Sequence, residues 1–160
     1  MSEPSSRTQR DIRQSKPFRS TAHEATIALV RTADDVHRHA DEFLAPHGLT
    51  ATQYNVLRIL RGAGPEGIAT LDVADRLVQR APGITRLLDR LEAKGLVRRE
   101  RCPGDRRQVL CYTTPRSARL LESLDQGIGE FDERAMRALT NSEQRTLIRF
   151  LDRIRASLEA

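Results

Sequence analysis

Arg80, Arg86 and Arg90, followed by Arg106 and Arg107, distribute guanidinium groups across one short stretch of this chain. A guanidinium is a planar fork of N–H donors that stays charged at any physiological pH and matches a phosphate or the O6/N7 edge of guanine. From position 76 to 107, ten basic residues stand against four acidic ones, a surplus of six that leaves the rest of the chain at −1 within a total of +5. A localised basic patch argues for a polyanionic partner more strongly than a high overall isoelectric point does. No catalytic constellation competes with this reading, because there is neither a Gly-rich phosphate loop nor a nucleophile motif. His23, His37, His39 and His47 read as solvated or helix-end histidines, and no Cys or His pair has zinc-ligand spacing, so neither a metal nor a cofactor is expected.

The elements that must position these arginines read as helix, turn, helix and two-stranded ribbon across residues 71–114. In the second helix, from about Pro82 to Lys94, Ile84, Leu87, Leu88 and Leu91 fall at i, i+3, i+4 and i+7 and form one apolar stripe. Gly83, Arg86 and Arg90 lie on another face, with Thr85 and Asp89 beside them. Pro82 suits the first helical position, where its missing N–H has no partner anyway, and Gly95 supplies the stop. Residues 96–102 and 108–113 suit strands, joined by the turn Pro103-Gly104-Asp105-Arg106-Arg107. A helix with one apolar and one basic face, followed by a basic hairpin, outlines a winged helix-turn-helix. The fold class is then mainly α with a small antiparallel ribbon, and the module binds DNA. The alternative is a winged helix used as a protein-interaction module, its basic face meeting an acidic partner.

Around that module the chain reads as helices. Residues 1–20 are polar, with five basic and two acidic residues, and read as a disordered basic tail. A long helix follows over residues 21–46. Thr50 and Gln53 form a capping box for the next helix, whose inner side is Val56, Leu57 and Leu60, and Ile68-Ala69 suits a short strand backing the ribbon. Thr70 reads as the cap of a third helix with Leu71, Val73, Ala74, Leu77 and Val78 inward. Thr114-Pro115 opens a further helix weakened by Gly127 and Gly129, and Thr140 to Glu143 is a second capping box before a helix striped with Leu147, Phe150, Leu151, Ile154 and Leu158. One-sided apolar faces on helices away from the basic module are most simply buried against a second copy. No apolar run approaches the roughly 18 residues of a membrane span, and no secretory leader is visible, so a soluble cytoplasmic protein is expected.

The strings LTATQY at 49–54, ITRLLDRLEAKGLV at 84–97, DRR at 105–107 and TTP at 113–115 together resemble the MarR family of transcription regulators, from about position 25 to 158. The resemblance implies a homodimer, with residues 21–48 and 115–160 as an interlocking helical arm and 49–114 as the winged DNA-binding domain. It also implies a repressor of transcription that releases a palindromic operator when a small effector acts. Double-stranded DNA, a second copy and a small effector are then the partners.

On that frame Thr85 and Arg86 would meet base edges in the major groove, while Arg80 and Arg90 reach phosphates and Gly83 lets backbone approach one. Ala81-Pro82-Gly83 replaces the family's hydroxyl-rich helix start. The family's Asp-x-Arg wing motif maps to Asp105 and Arg107, with Asp105 bracing an arginine and Arg107 entering the minor groove, and with Arg106 as the competing candidate for that groove. An effector pocket between arm and head would draw on His37, Asp41, Tyr54, Arg58 and Phe131. Cys102 and Cys111 would sit about three residues apart on opposite faces of the ribbon, too far for a disulfide.

Overall fold

The computed structural model describes residues 6–105 and 107–159. Residues 1–5, Arg106 and Ala160 lie outside the described residues. The chain divides into two compact units, Met1–Asn55 and Val56–Ala160.

The first unit begins with α1 (Arg7–Asp11), where the composition had suggested no regular structure. Ser6 accepts a hydrogen bond from the Gln9 N–H at 3.2 Å and so caps the turn. The helix closes through Arg13 N–H to Arg10 O and Gln14 N–H to Gln9 O, with Arg13 in the left-handed region at φ 53°. This is the paired-bond C-terminal motif that usually has glycine at the left-handed position. The Phe18 ring meets His23 edge-on at 5.5 Å. Ser20 then caps α2 (Thr21–Leu44) by accepting from His23 N–H. A single 3-10 turn, Ala45–His47, and Gly48 at φ 70° end this run. The Thr50–Gln53 capping box is present in both directions at 3.2 Å and starts α3 (Ala51–Ala63). Asp41 adds a bond from the Ala51 N–H at 2.6 Å, which ties the end of α2 to the start of α3.

In the second unit α3 runs on into a 3-10 turn, and β1 (Ile68–Ala69), α4 (Thr70–Asp75), α5 (Ile84–Ala93), β2 (Val97–Arg101) and β3 (Val109–Thr113) follow. The sheet is antiparallel in the order β1-β3-β2, with Cys111 opposite both Ile68 and Arg99. Leu57, Leu60, Val73, Leu88, Leu91, Val97 and Leu121 are among the unit's buried side chains. Two long helices complete it, α6 (Pro115–Met136) and α7 (Asn141–Glu159). Thr114 and Ser117 form the capping box of α6, while the Thr114 hydroxyl donates to Gly95 O at 2.8 Å and joins this start to the end of α5. Gly127 and Gly129 do not interrupt α6. Glu143 accepts from both the N–H and the hydroxyl of Thr140 at 2.8 Å, completing the cap of α7.

Three local expectations are corrected. Thr70 is the first residue of α4 rather than its cap, and its hydroxyl donates to Val109 O at 3.2 Å, tying the helix to the ribbon. Leu71 and Val78 are not inward; they are 76% and 90% exposed. At about 100° per residue Leu71 lies some 200° round the helix from the buried Val73, and Val78 falls beyond the helix end. Pro82 lies in the turn before α5, because Gly83, at φ 84°, is the N-cap and only then does the helix begin.

Two close contacts make the unit testable. Gly67 has φ 70°, and a Cβ there would stand 2.4 Å from the Tyr112 ring. Gly67→Ala is expected to destabilise the protein by about 1–3 kcal/mol, through backbone strain and displacement of the ring, read as a lowered urea midpoint. Arg61 grips Asp125 through two 2.9 Å hydrogen bonds between α3 and α6, and that guanidinium holds the Asp125 carboxyl below its usual range. A carboxyl lowered in the folded state stabilises above its unfolded pKa, and that contribution is lost as pH falls through the lower folded value. The melting-temperature gap between the parent and Asp125→Asn should therefore be full at pH 6 and shrink below about pH 4.

Candidate nucleic-acid interface

The two faces of α5 separate as the periodicity requires. Leu88 and Leu91 are 0% exposed, and Ile84 and Leu87 are half-buried. Thr85, Arg86 and Arg90 are exposed, as are Arg80, Pro82 and Gly83 in the turn that leads into the helix. No side chain caps the N-terminus of α5. Its first backbone N–H groups and the positive end of the helix dipole suit an anion.

Arg99 on β2, which no sequence motif marks, fixes how this helix sits. Its guanidinium donates to Glu92 at 3.0 and 2.6 Å and reaches Asp89 from the same side. These bonds, Glu92 foremost, raise the Arg99 pKa further. The signal that could have found it is the Asp89/Glu92 pair, three residues apart on the helix and so on one side of it. The clamp also answers the acids of α5, which would otherwise stand as unmatched negative charge beside its basic face.

At the wing, one oxygen of Asp105 accepts from the Arg107 backbone N–H at 3.0 Å and from its Nε at 3.2 Å. The Arg107 guanidinium, then its backbone N–H, holds the Asp105 carboxyl below its usual range. The Arg107 side chain is nevertheless 91% exposed: it is braced without being covered. Below the tip, Cys102 N–H donates to Gln108 O, closing the hairpin, and Arg98 lies 4.3 Å over the Tyr112 ring. Cys111 is wholly buried, and burial pushes its thiol pKa up. The register separates it from Cys102 along the ribbon, as the sequence implies.

A cleft of about 330 Å³ opens where the start of α4, the first turn of α5 and the ribbon meet, lined in part by Thr70, Asp72, Thr85, Arg99 and Arg107. None of the five residues suggested for an effector lines it. His37 and Asp41 do pair, at 3.6 Å on α2, and Tyr54 belongs to the same unit; Arg58 and Phe131 belong to the other. Among the described residues no group of three or more His, Cys, Asp or Glu side chains could hold a metal, and no helix is long and apolar enough to cross a membrane.

Comparison with known proteins points the same way. A sequence model of the MarR family matches residues 47–108, which include Arg80, Arg86, Arg90, Arg99 and Arg107. The multiple antibiotic resistance protein MarR of Salmonella typhimurium is 35% identical over 118 residues, covering 73% of this chain and 81% of that protein. A MarR transcription factor from Planctomyces limnophilus is 41% identical, with TM-score 0.66 over 85% of this chain and 98% of its own. A cysteine-to-serine mutant of MarR from E. coli, solved in complex with operator DNA, is 30% identical, with TM-score 0.73 over 79% of this chain and 90% of its own.

Replacing Arg99 with Ala should lower the unfolding free energy by about 1–2 kcal/mol, the worth of charge-assisted hydrogen bonds at a partly screened site. Arg99→Lys, which keeps the charge but not the fork, should recover less than half of that loss in a urea titration.

Proposed function

The chain belongs to the MarR family of transcription regulators, and on that premise we propose that it is a homodimeric repressor that binds a palindromic operator in the cytoplasm and releases it to a small effector. The observation that carries this reading is the outward row Thr85, Arg86 and Arg90 on a helix whose other face is sealed, beside a braced and exposed Arg107. Arg86 takes guanine O6 and N7 in the major groove, and Thr85 takes a neighbouring base edge or thymine methyl. Arg80, Arg90 and the backbone around Pro82 and Gly83 hold phosphates, which set register rather than sequence. Arg107 enters the minor groove while Asp105 orients it, with Arg106, the preceding residue in the sequence, as the competing candidate for that groove.

The second copy is proposed to meet α2, α6 and α7. In support, α7 has no buried residue, and Ile148, Phe150, Ile154 and Leu158 along it are exposed. A dimer joined there would present two recognition helices about one helical repeat, roughly 34 Å, apart. The effector is proposed to enter the cleft shared by Thr85, Arg99 and Arg107, where a small anion would compete with DNA for Thr85 and Arg107.

Selection of bound duplexes from a random pool tests the proposal, repeated with small phenolic acids present. An enriched palindrome, bound by two chains and lost on adding an effector, is the expected result. Arg86→Ala should cost about 1–3 kcal/mol at one base position of each half-site and relax preference there. Arg90→Ala should weaken all duplexes alike and flatten the salt dependence by about 0.9 per chain. An unenriched pool, or unchanged preference in the Arg86 variant, would overturn this assignment.

A further inference from the structure

Outside the winged unit, the strongest unexplained charge pattern is at the amino-terminal end. Arg7, Arg10, Arg13, Lys16 and Arg19 recur at every third position, and Asp11 is the single acid among residues 6–20. All five basic residues are exposed. Asp11 is taken by Arg7 at 3.4 Å, whereas Arg13, Lys16 and Arg19 make no ion pair among the described residues. On α2 the acids Asp34, Asp35, Asp41 and Glu42 already face Arg31, Arg38 and His37 of that same helix, and Glu24 stands in its first turn, at the positive end of the helix dipole. The root of the segment is held by the Phe18–His23 ring contact and its far end by the capped turn of α1.

Arg13 sharpens the point. It occupies the left-handed backbone position that closes α1, which glycine adopts freely and an L side chain does not. The turn therefore carries a cation where the backbone alone would favour none. We propose that residues 7–19 form a basic arm that lies along the phosphates of duplex DNA flanking the operator, adding sequence-independent affinity to the contacts of the winged unit. This rests on the DNA-binding reading above. In the structure Gln9 Nε2 donates to Gln14 O and Lys16 O. Fully drawn out, residues 13 to 19 would reach at most about 20 Å. At one charge per roughly 1.7 Å of axis, that is about twelve phosphates with both strands counted, or about six along one strand.

The test uses the full chain, a triple variant (Arg13→Gln, Lys16→Gln, Arg19→Gln) and Arg13→Gly, each titrated with salt on selected operator and on scrambled duplex. In the triple variant the log–log salt slope should become shallower by about 0.9 per lost phosphate contact, up to about 5 per dimer, with the operator-to-scrambled ratio unchanged. Trimming the flanking duplex should reproduce that loss in the parent and add none in the variant. Arg13→Gly should melt at the same temperature or higher, since glycine relieves the turn, yet still lose about 0.9 of slope per chain. That combination separates charge from fold.

Slopes unchanged in both variants would overturn the arm. A lowered melting temperature in the triple variant with an unchanged slope would overturn it too, by assigning these cations to acids of the chain itself. Because the arm's share is also read on scrambled duplex, a parent with no operator preference would overturn the specific-regulator reading and still leave the arm decided by its slope.

Discussion

Burial of one face of α5 is the constraint from which the rest of the basic surface follows. Leu88 and Leu91 are withdrawn entirely from water, and burying a leucine side chain is worth about 1.5–3 kcal/mol. On a helix of 3.6 residues per turn, fixing these positions inward fixes Thr85, Arg86 and Arg90 outward. Their exposure is one result rather than three. Rotation about the helix axis is further limited by the Arg99 fork to Glu92 and Asp89, which ties the helix to the neighbouring strand.

The same arrangement solves an electrostatic problem. A surface that approaches a polyanion cannot carry loose carboxylates, yet α5 has two acids and the ribbon tip has one. Each is answered by an arginine: Asp89 and Glu92 by Arg99, Asp105 by Arg107. The two answers differ in kind. Arg99 is largely enclosed, with 20% of its side chain exposed, and serves position. Arg107 gives its carboxylate one nitrogen and the backbone and keeps the rest of the guanidinium outward.

Helix starts were legible where side chain and backbone satisfy each other locally. The Thr50–Gln53 and Thr140–Glu143 boxes each depend on residues three apart and on nothing distant, so spacing alone reveals them. The apolar stripe of α5 was legible for the same reason, being long enough to set its own period. Failures came where tertiary contacts decide. Helix α4 is too short for periodicity to separate Val73 from Leu71, and the Thr70 hydroxyl is claimed by a strand 39 positions later. Pro82 fitted a general preference for helix starts, but the left-handed Gly83 beside it ends the turn first. Arg99 was hidden among several arginines because only the fold brings it beneath α5. The capped turn at Arg7–Asp11 escaped composition-based reading, which registers the scarcity of apolar residues but not a serine placed to cap.

The sheet order has a consequence for how copies of this chain can meet. With β3 in the middle, hydrogen-bonded on both sides, β2 is left with an open ladder of backbone donors and acceptors. Such a margin invites pairing with a foreign strand, and charge along it is a common deterrent. Here Arg98, Arg99, Glu100 and Arg101 follow one another along β2. With Arg98 paired to Glu100 and Arg99 to Asp89 and Glu92, a foreign strand added to this margin would have to displace settled ion pairs as well as meet the charge of Arg101.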